Sequence, residues 1–343
     1  ADRRAAAHVT ASGNAWRADA IIDRCAASAG RTPTLAHIAV ADHPFRISGA
    51  PQVMAGCDDF AAFAARSQPS ADAPTIHVAC GDDVAAGFPP LPVIDVGRER
   101  RPISLGEVVV AVRGDPLILY AVSADRTRGA VWFPSPERRP QWEKVRPLLP
   151  VVHAMLRDTP WSVLHAAAVG RGDRTVLLTG GSHAGKTSLS LAALSDGCCF
   201  FGDDVVAVSA NGGAAPLVAR LYDTARLRMP PMAGLEHLAA VGVPSFDDAE
   251  HRAELHLTSM LVGHPLSAAI TDVVHVERSG APAPTFRSIS RARVISTVTA
   301  STLQVTFGDL HHRRTAVSVC AALTPQGFDP GSDVVRAVRT LLA

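Results

Sequence analysis

Eight consecutive residues, Gly180-Gly181-Ser182-His183-Ala184-Gly185-Lys186-Thr187, satisfy the pattern G-x-x-x-x-G-K-[ST] in full. The chemistry of that pattern is phosphate binding. Gly180 and Gly185 let the backbone turn so that successive N–H groups face phosphate oxygens, and Lys186 brings a compact cation to the β and γ phosphates. Thr187 offers a hydroxyl to a magnesium ion that otherwise takes its ligands from phosphates and water. An incidental lysine in a glycine-rich turn is the competing explanation, and composition weighs against it. Of the 33 basic residues only Lys144 and Lys186 are lysine, the other 31 being arginine. A nucleoside triphosphate, with magnesium, is the expected ligand.

Sixteen residues beyond Lys186 the pattern continues: an apolar run ends in Gly202-Asp203-Asp204 and is followed by Val205-Val206-Ala207-Val208. Two carboxylates at the end of a strand beside a phosphate loop suit two tasks, one holding Mg²⁺ and the other accepting the proton of an attacking hydroxyl. The dipeptide alone is weak, since Asp-Asp recurs at 58–59, 82–83 and 247–248, where no phosphate loop precedes it and a solvated turn is the expected role. Upstream, His165 is the one polar residue within Val163-Leu164-His165-Ala166-Ala167-Ala168-Val169. On residue chemistry alone a lone histidine in such a run is a satisfied core group more often than a catalytic one.

These residues need a particular scaffold. The spacing predicts a strand over 162–169, a turn over 170–174, a strand over 175–179, the glycine loop, a helix over 186–195 and a strand over 198–201, the order of a nucleotide-binding α/β layer. A helix closes the chain over 332–342. Before this unit, residues 1–140 read as a smaller mixed α/β or β-rich unit, with helices over 15–27 and 58–65 and strands over 37–40, 75–79, 107–112, 117–122 and 130–133. Arg113-Gly114-Asp115-Pro116 marks a hairpin between two of these strands. The Pro-rich stretch 134–140 breaks the pattern. Residues 142–157 then show helical spacing despite Pro147 and Pro150, so the expected boundary lies at 140/141, with a catalytic unit over 141–343. Lys144, in this lead-in, is expected to be solvated.

Composition narrows the function classes. With 33 basic against 32 acidic residues the chain lacks the basic footprint of a nucleic-acid or anionic-membrane binder. No apolar run approaches the roughly 20 residues that cross a bilayer. The N-terminal Ala1-Asp2-Arg3-Arg4-Ala5-Ala6-Ala7 leads into no apolar h-region, so no signal peptide is expected. Six cysteines without C-x-x-C spacing fit a reducing, cytoplasmic setting rather than zinc. His251, His256, His264, His311 and His312 lack convincing metal spacing and are expected at the surface or in loops. No lysine follows Lys186, which removes the Asn-Lys-x-Asp guanine-recognition segment of G-proteins. The His-Arg-Asp loop of eukaryotic-type protein kinases and the Leu-Ser-Gly-Gly-Gln stretch of transporter ATPases are absent as well.

Taken together, Leu164-His165-Ala166, the loop at 180–187 and Asp203-Asp204 resemble the catalytic domain of the HPr kinase/phosphorylase superfamily, over residues 150–310, about half of the chain. The resemblance implies a PEP-carboxykinase-like P-loop kinase domain and places His165 near the transferred phosphoryl group. It also implies that the aspartates divide metal and base duty, Asp204 as base and Asp203 towards magnesium. Leu235-Glu236-His237-Leu238 shares only the first two residues of the Leu-Glu-x-Arg-Gly signature of true HPr kinases. The histidine strand, residues 222–230 with Arg226 and Arg228, and residues 265–278 are more similar to the divergent branch. That branch includes serine kinases encoded with lasso and other modified peptides, and kinases of free serine. Arg226, Arg228 and Arg252 are the residues expected to contact phosphate or a substrate carboxylate, generic surface charge being the alternative for each.

The expected function is then ATP- and Mg²⁺-dependent transfer of the γ phosphoryl to a serine hydroxyl of a peptide or small protein. Catalysis is assigned to Asp204, His165 and Lys186. A kinase of free serine or another small hydroxylated metabolite and a non-catalytic ATP-binding sensor remain alternatives. Neither nucleic acid nor membrane is an expected partner, and a homo-oligomer is left open.

Overall fold

The computed structural model describes residues 17–31, 33–57, 60, 63–64, 72–88, 103–104, 110–113, 117–139, 141–210, 215–240, 242–244, 251–305 and 311–343. The chain is mixed α/β. Its first half is organised by a seven-stranded sheet of β1 (Thr34–Val40), β2 (His43–Gly49), β3 (Thr75–Cys80), β4 (Ile103–Ser104), β5 (Val110–Arg113), β6 (Ile118–Val122) and β7 (Arg128–Phe133), in the order β1-β2-β3-β7-β6-β5-β4. The β2–β3 and β3–β7 pairs are parallel and the others antiparallel, including β5 with β6, the hairpin expected around the 113–116 turn. The strand expected over 107–112 is described from Val110, and the helix expected over 58–65 lies largely outside the described residues.

Strands β6 and β7 are apolar at nearly every position because both faces are covered. On one face, helix α1 (Ala18–Ser28) packs Ile21, Ile22 and Cys25 against Leu119, Ala121, Ala130 and Trp132. The helices α2 (Pro51–Ala55) and α3 (Asp82–Ala85) are short. The lead-in segment forms not one helix but two, α4 (Gln141–Val145) and α5 (Leu149–Met155), followed by a 3₁₀ turn at Leu156–Asp158. The break at 146–148 has a physical cause. Pro147 carries no amide N–H to continue the first helix, whereas Pro150, in the first turn of the second, forfeits a bond that is unmade there anyway. Helix α5 covers the second face of the sheet, Val151, Val152 and Met155 joining Tyr120, Val131 and Phe133. The same core continues into Trp161, Val163, Ala207 and Tyr222.

The second half contains β8 (Trp161–Leu164), β9 (Ala167–Arg171), β10 (Arg174–Thr179), α6 (Lys186–Ser195), β11 (Cys199–Gly202), β12 (Val206–Ser209), β13 (Leu217–Ala219), β14 (Thr224–Arg228), α7 (Glu236–Ala239), β15 (Val243–Pro244), β16 (Arg252–His256), β17 (Ser267–Ala269), β18 (Asp272–Val276), β19 (Thr285–Ser288), α8 (Arg291–Val305), α9 (His311–Ala322), β20 (Gln326–Asp329) and α10 (Val334–Leu342). A six-stranded sheet, β11-β9-β10-β18-β20-β19, lies beside a four-stranded sheet, β17-β13-β12-β8, and a three-stranded one, β14-β16-β15. The two-residue alternation of strands divides the side chains of the six-stranded sheet. Val176, Leu178, Val274 and Val276 face α6 and α10, while Leu177 and Val273 face α8 and α9. The closing helix buries Val334, Ala337, Val338, Leu341 and Leu342, and Asp333 caps it by accepting the Arg336 N–H at 2.9 Å.

Two expectations need correction. The run 162–169 is not one strand: it changes sheet at His165, β8 belonging to the four-stranded and β9 to the six-stranded sheet. A tight turn makes the change, the Ala166 N–H donating to the Leu164 carbonyl at 2.9 Å. His312 is not a surface residue but fully buried on α9, 5.7 Å from the His153 ring centroid to centroid. All six cysteines are free thiols, and no described helix is long and apolar enough to cross a membrane.

Candidate functional site

The glycine loop joins β10 to α6, and its backbone calls for glycine at 180 and 185. Gly180 has φ +145°, and a Cβ there would stand 2.6 Å from the Val276 carbonyl oxygen of the neighbouring parallel strand β18. Gly185 has φ +108° and a Cβ would meet the Arg278 guanidinium at 3.3 Å. Helix α6 begins at Lys186, so the first unpaired N–H groups of the helix face the loop's concavity. The Lys186 ammonium is buried and folds back to donate to the carbonyls of Gly180 at 2.9 Å and Gly181 at 3.1 Å. Burial holds its pKa below the ordinary lysine value, with Asp204 and Asp203 opposing that fall.

His165 and Asp204 meet because two strands cross between the same two sheets at the same place. β9 pairs with β11 in the six-stranded sheet, and β8 pairs with β12 in the four-stranded sheet, Leu164 lying opposite Val206. The connection from β8 to β9 is His165-Ala166, and that from β11 to β12 is Asp203-Asp204-Val205. The polar residues of both connections therefore face each other, and His165 Nε2 lies 2.8 Å from Asp204 Oδ1. A carboxylate only accepts, so Nε2 carries the hydrogen of this bond. Helix α8 fixes the histidine from behind: Thr302 Oγ1 accepts the His165 backbone N–H at 2.9 Å and Nδ1 faces the Ser301 carbonyl at 3.3 Å.

The two aspartates differ in environment. Asp204 reaches the cleft, while Asp203 is only 3 % exposed and sits beneath it, accepting the Arg226 N–H at 3.3 Å. A residue without any sequence signal spans them: Arg146 places Nη1 3.1 Å from Asp204 Oδ2 and Nη2 3.6 Å from Asp203 Oδ1. Burial opposes ionisation of Asp204, but Arg146, His165 and Lys186 outweigh it and hold the carboxyl well below the usual range. Asp203 goes the other way. Burial pushes it up and the Asp204 charge adds to that, against the pull of Arg146. The oxygen atoms of Asp203, Asp204 and Thr187, whose hydroxyl donates to the Asp203 backbone carbonyl at 3.4 Å, suit a hard cation. Among the described residues no group of three or more His, Cys, Asp or Glu side chains is arranged to hold a metal by itself.

One cleft brings the expected residues together. His165, Ser182, His183, Ala184, Gly185, Lys186, Thr187, Asp204, Arg226, Arg228 and Arg252 line it, while Gly180 and Gly181 form the entry to the loop and Asp203 its buried support. Arg228 and Arg252 stand directly opposite each other on β14 and β16. Sequence reasoning missed Arg278, which lines the same cleft and donates to the Met232 sulfur at 3.4 Å. It also missed His275, buried under the loop, whose Nδ1 lies 3.0 Å from Thr179 Oγ1. Among 31 arginines neither Arg146 nor Arg278 carries a local signal, whereas the polar His275 within the apolar run Val273-Val274-His275-Val276 repeats the pattern that singled out His165. The chain matches no protein-family model and no curated protein.

Proposed function

We propose that the protein is an ATP- and Mg²⁺-dependent kinase that transfers the γ phosphoryl group to an alcohol, a serine of a peptide or small protein being the preferred acceptor. Its second half is read as a PEP-carboxykinase-like P-loop kinase domain. The single observation that carries this reading is the convergence of the phosphate loop, Asp204 and His165 on one cleft. A binding loop alone serves many functions; a loop facing an ionised, histidine-oriented carboxylate serves group transfer.

In this reading the N–H groups of residues 182–187 and the Lys186 ammonium hold the β and γ phosphates. Thr187 and Asp203 are the residues that would hold magnesium, which when bound neutralises charge on the phosphates. The acceptor hydroxyl oxygen forms the new bond to the γ phosphorus as the bond to the β-phosphate oxygen breaks, and the hydroxyl proton passes to Asp204. The depressed pKa keeps Asp204 ionised at neutral pH, so it accepts the hydroxyl hydrogen bond at the start of the reaction, as a loose transition state requires. The Nε2–H of His165 orients the Asp204 carboxylate at the cleft. Arg226, Arg228, Arg252 and Arg278 line the cleft with charge suited to phosphate or an acidic acceptor segment.

The test is incubation of the full chain with γ-labelled ATP and serine-containing peptides. Labelled phosphoserine should form, and Asp204→Asn should lower the rate about 10²- to 10⁴-fold with ATP binding retained. Intact ATP binding with no labelled product on any peptide or on free serine would leave a nucleotide sensor in place of a kinase.

A further inference from the structure

Arg146 reaches the aspartates from a strap, residues 146–148, that is tied down along its whole length. The Thr224 hydroxyl donates to the Val145 carbonyl at 2.9 Å, just before the strap, and the Tyr222 hydroxyl donates to the Pro147 carbonyl at 2.8 Å. The Leu148 N–H donates to Glu143 Oε1 at 2.9 Å, and the other Glu143 oxygen accepts the Tyr120 hydroxyl at 2.7 Å. Tyr120 belongs to β6, so the seven-stranded sheet is connected through one buried carboxylate to the strap. Leu148 itself has φ +62°, a left-handed conformation that disfavours a residue with a Cβ. A strained turn held by three hydrogen bonds, with a fourth anchoring Glu143, and carrying a guanidinium that forks across two carboxylates is a built device rather than a passing surface contact.

The charges explain what it does. Two neighbouring carboxylates, one of them buried, need a counter-charge, and the Lys186 ammonium donates to the Gly180 and Gly181 carbonyls. Arg146 supplies that charge, one nitrogen to each aspartate. Of the oxygens it approaches, that of Asp203 is among those suited to a hard cation, so a free cation must compete with a tethered arginine that is already in place. A triphosphate changes the balance: its oxygens provide ligands for the metal and an anionic partner for the displaced guanidinium.

We propose that Arg146 is a resident counter-cation of the aspartate pair, which keeps a free divalent cation out until nucleotide brings it in. The seven-stranded sheet, through Tyr120 and Glu143, fixes the strap that presents it. The nucleotide half of this inference rests on the reading given above; the competition between Arg146 and the metal does not.

The experiment is titration of the full chain with Mn²⁺, free ion being followed by electron paramagnetic resonance, with and without a non-hydrolysable ATP analogue. The wild type should bind Mn²⁺ weakly alone and much more tightly with the analogue. Without nucleotide, Arg146→Gln should bind about tenfold or more tightly than wild type, since a neighbouring cation at contact distance is removed. Arg146→Lys should lie between the two, a point charge in place of a fork. Tyr222→Phe, which keeps the guanidinium but releases the strap, should tighten Mn²⁺ by a smaller factor and decides the matter if Arg146→Gln does not fold. Unchanged Mn²⁺ affinity across the folded variants overturns the proposal. Arginine-dependent Mn²⁺ binding that ignores the ATP analogue would support the counter-cation and remove the triphosphate reading.

Discussion

Adjacent aspartates of the same strand end should respond to the same substitution with opposite sign. Asp204→Asn removes the negative charge that Arg146 approaches at 3.1 Å and His165 at 2.8 Å, and leaves a largely buried guanidinium with a single carboxylate. Taking one partner from a buried pair costs about 3–5 kcal/mol, and because the Asp204 side chain is 24 % exposed and an asparagine oxygen still accepts one bond, about 2–3 kcal/mol is expected. Asp203→Asn relieves a carboxyl whose ionisation the fold already opposes. Its loss of Arg146 at 3.6 Å is offset by the burial cost removed, so its stability should stay within about 1 kcal/mol of wild type, on the stabilising side.

The pH dependence fixes the interpretation. A carboxyl lowered by folding stabilises the protein above its unfolded pKa of about 3.9 and loses that contribution as pH falls through the folded value, so the Asp204→Asn deficit should be constant from pH 7 to 5 and shrink below pH 4. For Asp203 the sign reverses: stability falls as pH rises from about 3.9 towards its raised folded value, so any gain in Asp203→Asn appears only above pH 4. Urea unfolding of the wild type and both variants at pH 7, 5 and 3.5 reads this directly. Equal destabilisation by the two substitutions at pH 7, or an Asp204→Asn deficit that persists undiminished at pH 3.5, would refute the division of charge between them.

Three further outcomes follow from the site. On the proposed function ATP should raise the melting temperature, and Lys186→Met should abolish that rise while leaving the nucleotide-free protein at least as stable at pH 7, since burial already penalises that ammonium. Gly185→Ala should cost about 1–2 kcal/mol in urea unfolding from its φ of +108° and weaken ATP binding, because the new methyl meets the Arg278 guanidinium at 3.3 Å. Thr302→Val leaves the buried His165 N–H without the hydroxyl that accepts it at 2.9 Å; a loss of about 1–3 kcal/mol is expected, with transfer to the acceptor falling more than ATP affinity does.

What could be read along the chain was what short-range sequence determines. The helix expected over 186–195 is α6, residue for residue, because glycines, lysine and apolar spacing within one short stretch decide where it starts and how it lies. Five of the seven strands of the first half, β1, β3, β5, β6 and β7, and the helix α1 are legible for the same reason, alternation and turn residues being local, whereas β2 and β4 have no counterpart among the expected strands. The run 162–169 was read as one strand because nothing local marks the change of sheet: no glycine or proline interrupts it, and both halves are buried, so the apolar pattern continues across the turn at His165. His312 was misplaced by the neighbouring polar residues His311, Arg313 and Arg314. Its place in the series His312, Thr315, Ala316, Val319, Cys320, which is the buried face of α9 at helical spacing, is a signal the sequence does contain.

Arg146 belongs to a different category. Its role depends on Tyr120, Glu143, Tyr222 and Thr224, which approach it from 3 to 78 positions away in the chain, and no window of sequence contains that set. The separation also bears on why the first half of the chain is attached to the phosphate-loop half. A phosphate loop can be specified by one strand, one turn and one helix, but the charge on the aspartates facing it is set by a residue outside that unit, presented by a strap that a second sheet holds in place. If the strap is what makes metal binding wait for nucleotide, loosening Tyr120 by a change to Phe should alter Mn²⁺ affinity although its hydroxyl lies on a strand of the other sheet. The same change should leave the loop itself, and hence the Lys186-dependent grip on phosphate, unaltered.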